Sequence, residues 1–434
     1  MDVLTLSLCS LLLLYFIITV WRIQKTRLRL PPGPTPLPFI GNLLQVSFAL
    51  YRVYPKLTKQ YGPIFTVWLG PRPVVVLSGY AVIKEALINY SHQFGARGSL
   101  PVTRRLTEGY GIVTTNGERW QQVRRFAVTT LRNFGMGKRS MEERVQEESR
   151  HLIKAIEDTG GEVFDPLTIL GRAVNNVINL VMFGRRWGYE DETFLKFVSV
   201  INNLFTFIRS PLGLEKDVKN SEFCQENLQA SVFEMFIAGT DTTANNLQFS
   251  LLVMIKYPDI QERIQEEIDA VIGTDRLPSM TDRFQMPYTN AVMHEFMRYI
   301  DLTPMGLPRV VTEDTTFRGF ILPKGTTVFP LLCSALSDPE YWKSPYDFNP
   351  ENFLDENGKF HPQEALIPFS TGKRICPGEG LARMEIFLFL TALLQKFSFQ
   401  RANPTDTLNL EVLRRAFHKQ GLTYNLRAIP RTKK

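Results

Sequence analysis

The chain has 434 residues, 44% of them hydrophobic, which is ample for a large core. Its four cysteines, Cys9, Cys224, Cys333 and Cys376, are few and scattered, so they suggest no disulfide framework and fit a reducing cytosolic setting. A net charge of +7 calls for an anionic partner; no nucleic-acid motif is present, so anionic lipid and acidic proteins lead.

In chain order, Val3 to Val20 is apolar apart from small hydroxyl residues and carries no charge, at the short end for a spanning helix. Only Asp2 precedes it, and Trp21, Arg22, Lys25, Arg27 and Arg29 follow. A cleaved secretory signal is the alternative. Against it, no basic residue precedes the run and no small-residue cleavage site follows. The basic flank places the body on the cytosolic side. Pro31-Pro32-Gly33-Pro34-Thr35-Pro36-Leu37-Pro38 predicts a stiff extended linker that holds the body at a fixed stand-off and ends at Gly41-Asn42. Two short strands are predicted at Ile64 to Leu69 and Pro73 to Leu77. Apolar periodicity predicts helices over Trp120 to Leu131, Met141 to Ile156, Leu228 to Ile255, Asp259 to Ile272, Tyr288 to Ile300 and Gly380 to Phe397. Strand-like pieces return at Thr316 to Ile321 and Thr326 to Pro330. No internal repeat is visible.

Three short motifs carry chemistry. Phe369-Ser370-Thr371-Gly372-Lys373-Arg374-Ile375-Cys376-Pro377-Gly378 surrounds a lone cysteine with glycines and an arginine. Close backbone N–H groups and a cation are what a thiolate ligand needs. No second cysteine or histidine stands at zinc spacing, and the bland alternative is a buried structural thiol. Ala238-Gly239-Thr240-Asp241-Thr242-Thr243 lies midway along a predicted helix that glycine and three hydroxyls weaken. Such a cost suits a local opening of the backbone bonding; the equal alternative is an ordinary helix whose threonines bond back to carbonyls. Glu295 and Arg298 stand three apart on one helical face, ordinarily an exposed pair worth a few tenths of a kcal/mol. The five histidines, His92, His151, His294, His361 and His418, show no metal-ligand spacing.

The Phe369–Gly378 run resembles the haem-binding loop of the cytochromes P450, and the other two motifs match that family in the same order. The resemblance runs from the anchor to the C-terminus with one break. It is nearest to the microsomal, family-2-like monooxygenases of vertebrates. It implies a mainly α fold with a small β part, the P450 fold, behind an N-terminal transmembrane helix. The divisions are residues 1–30 as anchor and basic flank, 31–42 as proline-rich hinge and 43–434 as the haem-thiolate domain. It implies haem b, with Cys376 as the iron ligand whose thiolate favours O–O cleavage. Thr242 would hydrogen-bond dioxygen, Asp241 would relay protons and Gly239 would leave room. Trp120, Arg124, Arg97 and Arg374 would hold the haem propionates, with Arg309 a weaker candidate, and Phe369, Gly372 and Gly378 would shape the loop. A propionate-binding histidine of related enzymes is Ser337 here. The Glu295–Arg298 pair would be buried and lock to Phe348-Asn349-Pro350-Glu351-Asn352-Phe353, although Asn352 stands where many members carry arginine.

Further expectations follow from the same resemblance. Arg125, Arg132, Lys138, Arg139 and Lys373 would form a docking face for NADPH-cytochrome P450 reductase or cytochrome b5 at the endoplasmic reticulum membrane. A lipophilic substrate would meet Leu100 to Ile112, Phe236, Ile237, Ala238, Thr303 to Leu307 and Phe417. An oxygen-independent isomerase is disfavoured, because Asp241 and Thr242 are both present. The Thr242 to Cys376 spacing of 134 residues fits the family. Between Arg124 and Thr242, however, family-2 enzymes carry roughly sixty residues more, a length argument alone. The join falls near residues 210–216, between Phe194 to Ile208, which looks like the start of one helix, and Leu214-Glu215-Lys216-Asp217. The absent block would roof the pocket, so a non-catalytic isoform that binds haem poorly is the rival reading.

Overall fold

Val3–Arg27 forms one helix, α1, in the computed structural model. The structure describes residues 3–46, 50–98, 107–133, 139–192, 224–403 and 424–431, with isolated positions besides. The join near 210–216, both flanking segments, Lys138, His418, Phe417 and most of 99–106 lie outside the described residues. At 1.5 Å per residue α1 is about 37 Å long, enough to cross a bilayer core of about 30 Å. Leu8 and Leu11 to Leu14 are exposed, Leu11 by 64%, which is tolerable only against lipid or another apolar surface.

The proline run does not stand clear of the body. Pro32 accepts the Thr66 N–H at 2.8 Å, and Asn42 accepts the Trp68 N–H through Oδ1 while its amide donates to Thr35. The hinge therefore lies along strand β1 (Ile64–Leu69). Gly33 makes this possible, since a Cβ there would fall 1.9 Å from the Thr66 carbonyl oxygen. The run is thus tied to the body as well as stiff, because the Pro32 carbonyl and Asn42 find partners on that strand.

Strand β2 (Arg72–Leu77) pairs antiparallel with β1 and parallel with β7 (Thr327–Pro330). β4 (Arg309–Val310) joins β7, and β3 (Ala96–Arg97) closes the sheet. The predicted run Thr316 to Ile321 is instead a hairpin, β5 (Thr315–Phe317) with β6 (Phe320–Leu322), turning at Arg318 and Gly319 with φ of 47° and 84°. β8 (Phe397–Arg401) and β9 (Leu426–Pro430) form a third, two-stranded sheet.

The helices carry the mass. Beyond α1, the long ones among the described residues are α2 (Leu50–Tyr61), α3 (Gly117–Asn133), α4 (Arg139–Glu157), α5 (Pro166–Phe183), α6 (Gln225–Lys256), α7 (Pro258–Val271), α8 (Pro287–Ile300) and α9 (Glu379–Lys396). α2 and α5 add to the predicted set. Asp165 caps α5 through the Leu167 N–H, Pro166 opens it and Gly184 closes it in the left-handed region. α5 is apolar enough to cross a membrane by composition, yet it packs into the core against α6. α9 packs against α4, α6, α7 and α8, so the segment after Cys376 is the central spine.

The Glu295–Arg298 pair is buried, with side chains 0% and 1% exposed. Arg298 grips both Glu295 oxygens at 2.6 Å and donates to the Leu336, Pro345 and Asp347 carbonyls. Asn352 donates to both Glu295 oxygens at 3.3 Å, and the Asn349 N–H adds a bond at 2.8 Å. An amide thus fills the third place in the network without bringing a third charge.

Candidate active site

The Cys376 loop is built by backbone chemistry. Gly372 has φ of 73°, and a Cβ on it would fall 1.9 Å from the Leu87 carbonyl oxygen. The Cys376 N–H closes the loop on the Phe369 carbonyl at 3.0 Å. Gly378 is the N-cap of α9, and the N–H groups of Gly378 and Glu379 point at the sulfur. The side chain is open to a cavity, yet enough protein surrounds it that burial pushes the thiol pKa up, while those N–H groups and Arg124 pull it down. Gly372→Ala is expected to cost at least about 2 kcal/mol, from strained φ and the clash. Gly378→Ala places a Cβ 3.9 Å from Sγ and is expected to be milder. Thermal melting of the two variants checks the order.

Four arginines meet beside this cavity. Arg97 and Arg309 are direct partners across β3 and β4, a like-charge pairing that is unfavourable by itself. Arg374 stacks 3.6 Å over the Trp120 ring, and Arg124 lies 5.6 Å from the same ring. Among the described residues no carboxylate forms an ion pair with any of the four. Burial first, and the neighbouring arginines second, push Arg309 and Arg374 down to about 8 and Arg97 to about 10. Arg309 Nε, Arg374 Nη1 and Trp120 Nε1 are buried donors with no acceptor. The remaining bonds fix the fork. Arg374 donates to the Gly95 and Thr115 carbonyls and to Asn116, Arg97 to Val113, Arg124 to Ile375 and Arg309 to Ser370. This is a cradle for a group with two negative charges.

The cavity is about 330 Å³. Its wall includes Arg97, Trp120, Arg124, Arg374, Phe369, Cys376, Gly378, Gly239 and Thr242. Of the expected substrate contacts, Ile112, Ala238, Thr303, Gly306 and Leu307 line it. Phe236 and Ile237 do not. Met235, Ala238, Gly239, Thr242, Thr243 and Asn246 share the cavity face of α6 at helical spacing, which turns Phe236 and Ile237 away. α6 runs unbroken from Gln225 to Lys256, which is the ordinary-helix alternative rather than a local opening. The Thr242 hydroxyl instead donates to the Ala238 carbonyl at 2.7 Å, keeping the helix intact. Asp241 lies beside Thr242 but off the cavity wall, and its carboxylate takes a bond from the Asn245 amide at 3.0 Å. The space a Gly239 Cβ would take is shared with Ile178, 2.7 Å away. Ser337 bonds its own turn at the Cys333 carbonyl. Arg125, Arg132 and Lys373 are exposed, and Arg139 is exposed and paired with Glu143 at 3.4 Å.

Sequence reasoning missed three residues. Asn116 clamps the Arg97 backbone by both its N–H and its carbonyl while accepting from Arg374. Glu234, on α6, accepts the Ile112 and Val113 N–H groups at 2.6 and 2.8 Å and holds that loop on the cavity. Burial, opposed by those bonds, raises its pKa to about 7. Glu385 lines the wall from α9. None had a local signal beyond its polarity.

A largely apolar cavity with clustered cations and one thiol at a helix start is shaped for a flat prosthetic group with two carboxylates, so the fold and site define a haem-thiolate protein. The family profile described as "Cytochrome P450" matches residues 31–214 and 206–419. The chain belongs to the cytochrome P450 family, and its cofactor is haem and its class that of the monooxygenases. It is 42% identical to cytochrome P450 2C20 of Macaca fascicularis, over 98% of this chain and 99% of the relative. It is 41% identical to cytochrome P450 2C8 of Homo sapiens with the same coverage, and 42% identical to cytochrome P450 2G1 of Oryctolagus cuniculus over 98% of each. The first match extends over 485 aligned residues, against 434 in the chain.

Proposed function

We propose that this chain is a haem-thiolate monooxygenase of the endoplasmic reticulum membrane, with its body in the cytosol. It inserts one atom of dioxygen into a lipophilic substrate with electrons from NADPH delivered by a reductase. The observation that carries this is the arginine cradle, with its buried unpaired donors, beside a cavity onto which Cys376 opens. Bound haem iron supplies the activation of dioxygen. Cys376 holds the iron through its sulfur, stabilised by the Gly378 and Glu379 N–H groups. Arg97, Arg124, Arg309, Arg374 and Trp120 Nε1 hold the two propionates. Ile112, Val113, Val181, Met182, Leu302 and Leu307 exclude water and favour an apolar substrate. Asp241 and Thr242 move protons toward the cavity, with the Thr242 hydroxyl leaving the Ala238 carbonyl to do so. Arg125, Arg132 and Lys373 give an acidic reductase or cytochrome b5 a docking face.

The test is a ferrous-CO difference spectrum with NADPH-dependent oxidation of a lipophilic probe in reconstituted membranes. A thiolate-type Soret band with reductase-dependent product supports the reading. A chain loaded with haem but lacking that band overturns it. Thr242→Ala is expected to raise peroxide released per NADPH consumed, with little change in probe binding, because the hydroxyl serves proton delivery. Peroxide and product are assayed together.

A second reading is favoured by one observation. The aligned length exceeds the chain by 51 residues, and the two segments of the family match meet and overlap at 206–214. A roof block absent there would leave a membrane-anchored isoform that holds haem poorly and engages the reductase without turnover. Inserting a family-like block between Gly213 and Leu214 separates the readings. Raised haem content and turnover favour the isoform, and unchanged values favour the complete enzyme.

A further inference from the structure

Glu385 stands on α9, nine residues beyond Cys376, and is 1% exposed. It shares the cavity wall with Cys376, Thr242 and Thr243. Its carboxyl hydrogen-bonds the buried Thr243 hydroxyl on α6, and its Oε1 has no partner. Among the described residues, no charged side chain acts on it from α6 or from the other elements packed on α9, namely α4, α7, α8 and β8. A carboxylate in that place would be a buried charge without a counter-ion, which proteins avoid by keeping the proton. Burial accordingly raises its pKa well above the ordinary 4.5, and only the Thr243 bond opposes this. A neutral carboxyl both donates and accepts, so it can join two helices without a buried charge. Of the helices it joins, one follows directly on the Cys376 loop and the other carries Thr242.

We propose that Glu385 is a positioning residue, a neutral carboxylic acid that ties α6 to α9 through Thr243 and so fixes the separation of Thr242 from Cys376. The proposal rests on the reading that those two residues act on one bound group, but its own signature lies in the protein. The proton on Glu385 is kept in the folded chain and released from the unfolded chain above about pH 4.5. Its contribution to stability is therefore full below that pH and is lost as pH rises toward the raised folded value.

The experiment uses the full chain in detergent micelles, with Glu385→Gln, Glu385→Ala, Thr243→Val, the double variant Glu385→Ala/Thr243→Val, and Cys376→Ala as control. Denaturant stability is followed from about pH 5 to pH 8, with infrared carbonyl spectra at neutral pH and haem titration. Wild type is expected to lose stability with rising pH along a slope that Glu385→Gln reduces, and to show a protonated-carboxyl band that Glu385→Gln removes. Glu385→Gln should bind haem as wild type does. Glu385→Ala and Thr243→Val should each weaken haem binding about tenfold, with the double variant no worse than the weaker single. Equal slopes in wild type and Glu385→Gln, or no band, would show an ionised group and overturn the proposal. Additive losses in the double variant would show that the two residues act apart, with the same result. Cys376→Ala should keep band and slope while abolishing the thiolate spectrum, which separates failure of this proposal from failure of the haem assignment.

Discussion

Cys376→Ala or Cys376→His is expected to abolish the thiolate-type Soret band of the ferrous-CO form completely, while leaving the fold almost untouched. The sulfur opens on the cavity, and the loop is closed by the Cys376 N–H and by the glycines. Removing it should therefore shift the stability of the haem-free chain by less than about 1 kcal/mol, as accessible side chains do. The cradle arginines remain in either variant, so residual haem binding through the propionates is expected with an altered spectrum. Spectroscopy and denaturant unfolding of the haem-free form are read side by side. A thiolate-type band that survives would remove Cys376 from the site. A collapse of the haem-free fold would make it a structural thiol.

Arg298→Ala should be the most damaging single change to stability. It leaves Glu295 fully buried with only the Asn349 N–H and the Asn352 amide, and it orphans the Leu336, Pro345 and Asp347 carbonyls. Breaking a buried pair from one side costs about 3–5 kcal/mol, against a total stability of about 5–15 kcal/mol. Arg298→Lys is expected to recover little, because an ammonium cannot grip both Glu295 oxygens and reach carbonyls on several sides. Unfolding midpoints and haem content give the answer. A lysine variant as stable as wild type would show that charge alone, without the fork, suffices.

Local backbone chemistry made part of this protein legible in sequence. The glycines and arginine around Cys376 act within one loop, and their spacing could be read directly. Most long helices announced themselves by apolar periodicity; α7 differs from expectation by one residue at each end, and α8 by one residue at its start. α5 was missed although Asp165, Pro166 and Gly184 mark both its ends and Thr168, Arg172, Asn175, Asn176 and Asn179 form one polar stripe at helical spacing. Phe236 and Ile237 were misplaced because composition does not say which face of a helix meets a cavity.

What the sequence determined by itself was the set of chemical groups and the short-range geometry around each: the thiol in its loop, the threonine and aspartate on one helix, and the tryptophan and arginine one turn apart. What only the tertiary structure decided was which groups face each other. Arg97 lies opposite Arg309, Asn116 clamps Arg97 and takes a bond from Arg374, Asn352 reaches Glu295, and Glu385 finds Thr243. Most of these pairs join segments far apart in the chain, and their energies depend on burial, which no local pattern encodes. A charge is cheap in water and costly inside, so the same arginine is a solvated surface group or part of an anion cradle according to what packs around it.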